Sequence, residues 1–129
     1  MGQPDDRQYS KEHEWVKIDG VTAVVGITDY AQSSLGDIVY VELPKPGTKL
    51  ERSKPIGVVE SVKAVSDIYA PVAGTVTEVN SSVEDDPAKV NADPFGDGWL
   101  VKLKLDGPVD SSGLLDPAAY DELVNSLSH

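Results

Sequence analysis

The sequence contains no cysteine, one methionine and two histidines, and aromatic residues make up only 6% of its 129 residues. Without a thiol, the chain cannot build a disulfide framework, a thiolate zinc site, an iron–sulfur cluster or a cysteine nucleophile. Any redox chemistry in which this protein takes part therefore depends on a reactive group that is attached to it.

Basic residues are scarce as well. Eleven Lys and Arg stand against 22 Asp and Glu, which gives a formal net charge of -11 at pH 7. We expect neither a nucleic acid nor an anionic membrane as a partner, because both require a basic protein surface. An acidic surface instead attracts proteins that present basic docking surfaces.

Long apolar runs are also missing. No stretch approaches the ~18 apolar residues of a membrane-spanning helix, and the acidic first residues lack the apolar core of a secretory signal. We therefore expect a cytoplasmic protein. With 40% apolar residues, the length suits one folded domain over residues 1–129, in which residues 1–8 form a flexible N-terminus. No feature requires more than a monomer.

Short strand patterns separated by turn residues fill most of the chain. Residues 14–27 are typical of a β-hairpin, because two apolar stretches flank Asp19-Gly20, a dipeptide that accepts the positive φ of a tight turn. Alternating or β-branched residues predict further strands at 38–43, 56–59, 68–69, 74–80 and 99–105. These strands favour a mostly-β barrel or sandwich.

Three helices are expected at the margins of this β structure. Thr28 is placed to cap a short helix that continues through Gln32. Asp86-Pro87 and Asp116-Pro117 predict two more helix starts, because Asp caps the N-terminus and proline fits the first helical position. The second start leads into a C-terminal helix whose apolar residues share one face: Tyr120, Leu123, Val124 and Leu127. The acidic residues 84–86 are predicted to be a solvated loop that ends in the Asp86 cap.

Lys63 lies between two predicted strands, at the point where the chain has to reverse. A lysine at a hairpin tip exposes its amine on a rigid support, and enzymatic acylation of a lysine requires this access. The position alone is more typical of an ordinary solvated lysine, because exposed lysines are common. The residues around it therefore have to distinguish the two interpretations.

The segment Glu60-Ser61-Val62-Lys63-Ala64, followed by Ser66-Asp67, resembles the lipoylation motif of the glycine cleavage system H-protein family. Other segments are similar to family segments in the same order, at residues 13–16, 25–32, 35–39, 41–44, 70–74, 78–80 and 98–100. The resemblance covers roughly residues 9–123.

This resemblance implies the hammerhead-type β-sandwich of lipoyl and biotinyl domains and a carrier rather than an enzyme. Lys63 would carry lipoate in amide linkage, attached by a lipoate ligase or an octanoyl transferase. The surrounding residues would be the context that the attaching enzyme recognises: Glu60, Ser61, Val62 and Ala64.

The partners that the resemblance implies are the three enzymes of the system. The glycine decarboxylase (P-protein) would load an aminomethyl group onto the lipoyl sulfur. The aminomethyltransferase (T-protein) would pass its carbon to tetrahydrofolate and release ammonia. The dihydrolipoamide dehydrogenase (L-protein) would reoxidise the dithiol. Some lipoyl carriers also hand lipoate to other complexes, and the sequence leaves this relay role open.

The resemblance also implies a surface cleft in which the loaded arm is protected from water. Glu14 and Asp67 match carboxylates that would meet the cationic amine, and Glu12 is a third candidate. Ile27, Ala31 and Leu35 are candidate apolar walls. The alternative interpretations are that Glu14 is a solvated strand residue, that Asp67 closes the turn, and that the three apolar residues are ordinary core.

Other functions fit the residues less well. A biotin carrier has methionines where Val62 and Ala64 stand, and a lipoyl domain of a 2-oxo acid dehydrogenase usually has an acid in place of Val62. His13-Glu14 begins like a metalloprotease motif, but Lys17 occupies the position of the second histidine. Residues 93–98 lack the ligand spacing of a calcium loop, so we expect a turn there and no metal site. An interaction module with an unmodified Lys63 remains the alternative from a different class.

Overall fold

The computed structural model describes residues 5–107 and 113–127. These residues form nine strands: β1 (Gln8–Tyr9), β2 (Glu14–Asp19), β3 (Thr22–Ile27), β4 (Ile38–Glu42), β5 (Lys49–Leu50), β6 (Pro55–Ser61), β7 (Val65–Tyr69), β8 (Gly74–Val79) and β9 (Val101–Leu105). They also form four helices: α1 (Asp29–Leu35), α2 (Ser81–Asp85), α3 (Ala88–Ala92) and α4 (Pro117–Leu127). In the described part of the chain, no helix has the length and apolar character needed to cross a membrane.

The strands form two antiparallel sheets. The larger sheet has the order β1-β2-β3-β9-β8-β5, and the smaller has the order β4-β6-β7. Their inner faces bury one main core, which includes Val16, Val25, Val41, Val59, Val76 and Leu103. The sandwich-like fold and the C-terminal helix are confirmed, but the sheets are not closed into a barrel.

The predicted hairpin is confirmed. β2 and β3 pair from Glu14↔Ile27 to Asp19↔Thr22, and Gly20 has a φ of +63° in the turn between them. Gly26 in β3 has a further role, because a Cβ there would lie 2.6 Å from the ring of Trp15. The absence of a side chain at Gly26 therefore makes room for the indole ring.

Two predicted strands, β6 and β7, are longer in the structure, while β4 and β8 each end one residue earlier than predicted and β9 begins two residues later. β6 and β7 continue toward the hairpin tip as far as the pair Glu60↔Val65, so the pairing includes polar residues that the apolar pattern left out. β9 begins at Val101 rather than at residue 99. The Trp99 N–H is directed away from the ladder, since it closes a turn onto the Gly96 carbonyl.

A helix begins at or beside each of the three predicted starts, and two of the three predicted side-chain caps are confirmed. Thr28 caps α1, which runs past Gln32 as far as Leu35. Asp116 accepts a hydrogen bond from the Ala119 N–H at the start of α4, with a distance of 2.8 Å.

Residues 84–86 are exposed, as predicted, but the predicted loop and the predicted Asp86 cap are wrong. Glu84 and Asp85 belong to α2, which docks through the buried Val83. Asp86 ends that helix, while Pro87 occupies the N-cap position of α3 without a side-chain hydrogen bond. Burial of a single apolar side chain thus turns an acidic segment into a helix.

A second, smaller core joins the N-terminal strand to the C-terminal helix. It contains the buried rings of Tyr9, Trp15 and Tyr120, and we refer to it as the aromatic cluster. The Arg7 guanidinium lies 4.5 Å from the centre of the Trp15 ring and donates to the Phe95 carbonyl.

Residues 1–4 of the N-terminus predicted to be flexible lie outside the described residues. Within the rest of that segment, Arg7 makes these contacts and residue 8 begins β1.

Candidate functional site

Lys63 stands in the reversal between β6 and β7, and Ser61 shapes this reversal. The Ser61 N–H donates to the Ala64 carbonyl over 2.8 Å. The Ser61 hydroxyl oxygen accepts hydrogen bonds from the N–H groups of Lys63 (3.3 Å) and Ala64 (3.1 Å). Lys63 is exposed, and its neighbour Val62 is 72% exposed. The buried serine therefore fixes a rigid tip whose lysine faces solvent.

The stem of Lys63 lies over the C-terminal end of α1. A Cβ at Gly36 would be 3.5 Å from the lysine Cε, and Gly36 has a φ of +83°, in the region that favours glycine. The Val62 N–H also donates to the Asp37 carbonyl over 3.2 Å. The tip of the hairpin is therefore anchored to the segment that joins α1 to β4.

Asn91 of α3 fixes this same segment, and nothing in the sequence motifs pointed to it. Its side-chain amide donates to the Gln32 side chain and to the Gly36 carbonyl, each over 2.9 Å. Its oxygen accepts from the Ile38 N–H over 2.9 Å. One side chain thus holds the end of α1 and the start of β4 beneath the lysine.

Helix α1 and strand β7 both lead from the Lys63 end of the molecule to Glu14. At the far end of α1, the Thr28 N–H donates to the His13 carbonyl over 3.0 Å. At the far end of β7, the Tyr69 N–H donates to Glu14 Oε2 over 3.2 Å. Seven helical residues span about 10 Å, and five strand residues span about 17 Å. We call the surface bounded by α1 and β7, from Lys63 to Glu14, the track.

Glu14 is a buried carboxylate at the end of the track. It is 2% exposed, and burial raises its pKa to about 7, although two hydrogen bonds partly oppose this shift. These bonds come from the Ser10 hydroxyl, over 2.5 Å, and from the Tyr69 N–H. The interpretation of Glu14 as a solvated strand residue is therefore wrong. Its carboxyl group changes charge near neutral pH.

The other predicted cleft residues lie in different environments. Asp67 is exposed on β7, two positions before Tyr69. Ala31 and Leu35 are half-buried on α1, which is one boundary of the track, and they pack against the main core. Ile27 pairs with Glu14 and is buried within the main core.

Glu12 lies away from the lysine end. It is exposed and lines a small pocket of about 110 Å³ together with Ser10, Arg52 and Ala70. Ser10 donates a hydrogen bond to Glu14, and Ala70 follows Tyr69, which also donates to Glu14. This pocket is therefore near the Glu14 end of the molecule. The roles of Glu12, Ile27 and the other cleft residues stay predictions.

The outer face of the smaller sheet carries an alternating pattern of acidic and apolar side chains. Cross-strand pairing places them in two rows: Tyr40, Glu60 and Val65 in the row near the tip, and Glu42, Val58 and Asp67 in the next. All but the half-buried Val58 are exposed. Among the described residues, no cation forms a salt bridge with these acids. We call these six residues the acidic face.

The residues predicted to form a turn before Trp99 do so. The Asp93 side chain accepts from the Asp97 N–H over 3.1 Å, and the Gly98 N–H donates to the Asp93 carbonyl over 2.8 Å. Asp93 thus organises a turn. Within residues 5–107 and 113–127, no cluster of three or more His, Asp and Glu side chains could hold a metal ion.

Comparison with known proteins gives one consistent result. The family model described as glycine cleavage H-protein matches residues 7–127. The chain is 56% identical to a glycine cleavage system H protein of Chlorobium limicola over 126 residues, which cover 96% of this chain and 98% of the relative. It is 52% identical to that of Symbiobacterium thermophilum over 118 residues, or 92% of each chain.

A solved structure supports the same assignment. The glycine cleavage system H protein from Mycobacterium marinum is 37% identical in sequence and superposes with a TM-score of 0.86, covering 98% of this chain and 100% of that one. An exposed lysine at a hairpin tip, a matching fold and full-length similarity lead to one conclusion: the chain belongs to the glycine cleavage H-protein family.

Proposed function

We propose that Lys63 carries lipoate in amide linkage and that this arm conveys the aminomethyl group of glycine from the decarboxylase to the tetrahydrofolate-dependent aminomethyltransferase. The same arm then presents its dithiol to dihydrolipoamide dehydrogenase. At the coarser level, the family is a non-catalytic lipoyl carrier of the glycine cleavage system, and so is this chain. The observation that carries the proposal is the exposed Lys63 amine, held at a tip that Ser61 shapes.

The residues around Lys63 fit a lipoyl group. The amine is exposed and, within the described residues, forms no salt bridge, so an attaching enzyme can reach it. Gly36 offers no side chain beside the lysine stem, which leaves space for an arm that turns back along α1. Bound lipoate supplies the two thiols that a chain without cysteine lacks.

The track supports a resting site for the arm. Acylation removes the charge of Lys63, so the arm is long and mostly apolar, and the half-buried Ala31 and Leu35 border its path along α1. At the other end, Glu14 is buried and near its midpoint of ionisation. An arriving ammonium group favours the ionised carboxylate, so its presence shifts Glu14 further toward the charged form. Asp67 on β7 supplies a second, exposed carboxylate.

The acidic face supports docking of the partner enzymes. On this face, acidic side chains alternate with apolar ones: Tyr40, Val58 and Val65. Such a surface is complementary to a partner surface that combines basic and apolar side chains. The face continues into the exposed Val62 beside the lysine. We propose that the P-, T- and L-proteins approach from this side, and that the lipoate ligase or octanoyl transferase meets the tip around Lys63. The monomeric state, the cytoplasmic location and the relay role stay predictions.

The test is intact-mass spectrometry with peptide mapping, after expression with lipoate and an active lipoylating enzyme. We expect one lipoyl adduct, on Lys63, and none on the Lys63→Arg variant. A glycine decarboxylation assay with the three enzymes then tests the transfer of the aminomethyl group. A biotin adduct on Lys63 would contradict the proposal and indicate a carboxylase carrier. No adduct, with an active control substrate, would favour the interaction module that binds through the acidic face.

A further inference from the structure

The hydroxyl group of Tyr120 joins three separate parts of the chain. It lies 2.8 Å from Nδ1 of His13, in the turn before β2, and 2.6 Å from Oγ1 of Thr28, the N-cap of α1. Tyr120 itself belongs to α4, is fully buried, and stacks on the Tyr9 ring at 4.7 Å. We call the side chains of His13, Thr28 and Tyr120 the clamp.

The hydrogen bonds of the clamp form an ordered chain. Thr28 Oγ1 accepts from the Ala31 N–H, over 3.2 Å, and its own hydroxyl is able to donate to Tyr120. Tyr120 donates to His13 Nδ1 when this nitrogen is unprotonated. This arrangement gives every donor an acceptor, and burial of His13, which lowers its pKa, favours the same neutral form.

The clamp lies at the Glu14 end of the track, where α1 begins. Thr28 caps α1, and the Thr28 N–H donates to the carbonyl of His13, the residue immediately before Glu14. His13 has a φ of +70°, a conformation that non-glycine residues adopt only when their surroundings hold them in it. The Tyr120 hydroxyl contacts both sides of this junction. It therefore links the N-cap of α1 to the turn that precedes Glu14.

We propose that Tyr120 is a positioning residue for the resting site of the arm. One role of α4 is then to place the Tyr120 hydroxyl between His13 and Thr28. This inference rests on the proposed function. It assigns to the C-terminal helix a role in protecting the loaded arm, which Tyr120 exerts through His13 and Thr28 at the Glu14 end of the track. Without the hydroxyl, Thr28 and His13 lose their shared partner, and the cap of α1 is free to shift relative to Glu14.

The first experiment needs no lipoate. In the unmodified protein, we expect Tyr120→Phe to speed hydrogen–deuterium exchange at the Thr28 and Ala31 amides at least tenfold, and to raise the pKa of His13 measured by NMR. Thr28→Val, which also removes a hydroxyl, should do the same at Thr28, whereas Thr28→Ser keeps the hydroxyl and should resemble the parent. Parent-like exchange and an unchanged His13 pKa in Tyr120→Phe would overturn the proposal.

The second experiment uses the loaded carrier without aminomethyltransferase. Hydrolysis consumes one water, breaks the carbon–sulfur bond, and returns the thiol, formaldehyde and an ammonium ion. We expect Tyr120→Phe to release formaldehyde severalfold faster than the parent while Lys63 is lipoylated as before. The control is Leu123→Ala, which loses apolar packing of α4 in the aromatic cluster but keeps the hydroxyl, and should release it at the parental rate.

The outcomes of this experiment separate the two proposals. Equal release by Tyr120→Phe and the parent, or equally fast release by Leu123→Ala, would overturn the role of the hydroxyl and leave the carrier function intact. A parent chain that cannot be lipoylated would overturn the proposed function, and the role of Tyr120 in protecting the arm with it.

Discussion

The Tyr69 N–H donates to the carboxylate of Glu14 over 3.2 Å, although the two residues are 55 positions apart. Tyr69 ends β7, an outer strand of the smaller sheet, and Glu14 begins β2 in the larger one. The bond therefore connects the two sheets through a side chain rather than through a shared strand. Because the acceptor is a buried acid, the strength of this connection depends on pH.

We expect Glu14→Gln to change the pH dependence of stability. The pKa of Glu14 rises from 4.5 to about 7 on folding, so the folded state holds the proton more tightly than the unfolded state. The resulting stabilisation is complete below pH 4.5 and is lost as the pH rises through about 7. It amounts to at most about 3 kcal/mol.

Urea unfolding between pH 4.5 and 8 measures this effect as the difference between the parent and Glu14→Gln. The difference cancels the contribution of His13, whose lowered pKa acts in the opposite direction in both proteins. We expect the parent to lose more stability than the variant across this range. Parallel curves would show that Glu14 does not titrate differently in the folded protein.

Lys63→Arg is expected to abolish carrier function while leaving the fold intact. The side chain is exposed, so the free energy of unfolding should change by less than about 0.5 kcal/mol. Arginine keeps the charge and the stem but offers no amine for acylation. Thermal unfolding and mass spectrometry of the same sample check both statements. A large loss of stability would mean that Lys63 is a structural residue.

Glu14→Ala and Asp67→Ala are each expected to leave lipoylation of Lys63 unchanged and to speed loss of the aminomethyl group from the loaded arm. Neither residue belongs to the tip that an attaching enzyme meets, and each removes a carboxylate from the track. The measurement is formaldehyde release without aminomethyltransferase. Asp67→Asn is the matched control, because it removes the charge of Asp67 but keeps the shape of the side chain. Asp67 is exposed, so this substitution should not alter the stability of the protein. If neither alanine variant decays faster than the parent, these residues do not belong to the resting site.

Charge reversal on the acidic face should slow partner binding. Glu60→Lys places a cation between Tyr40 and Val65 and repels a basic docking surface. We expect slower association with the aminomethyltransferase and a weaker dependence of that rate on salt, measured by stopped-flow. Glu78→Lys, on β8 of the other sheet, is the control and should behave like the parent. Equal slowing by both variants would indicate an effect of net charge alone.

The parts of the fold that local signals specify were predictable from the sequence. Gly20 marks the hairpin turn, and Thr28 and Asp116 cap helices with side chains only three residues from their partners. The position of Lys63 at a hairpin tip follows from the same kind of local pattern. Each of these features is determined within a few residues along the chain.

The features that were missed depend on distant partners. Asn91 bonds to residues more than 50 positions away, and α2 forms because Val83 finds a buried site. The Tyr120 hydroxyl meets partners that lie 92 and 107 positions from it. Apolar spacing correctly placed Tyr120 on the buried face of α4, but it carries no information about where a hydroxyl group on that face will lie.

Both tryptophans of the chain lie on the side of the molecule where α4 docks. Trp15 is part of the aromatic cluster and Trp99 packs against it, while the main core contains neither. Intrinsic tryptophan fluorescence is therefore sensitive to the docking of α4 as well as to the unfolding of β2, the strand that carries Trp15. Melting curves recorded by fluorescence and by far-ultraviolet circular dichroism coincide only if α4 detaches in the same step that unfolds the sheets. A comparison of the two melting curves thus tests whether the helix and the sheets are lost in one step.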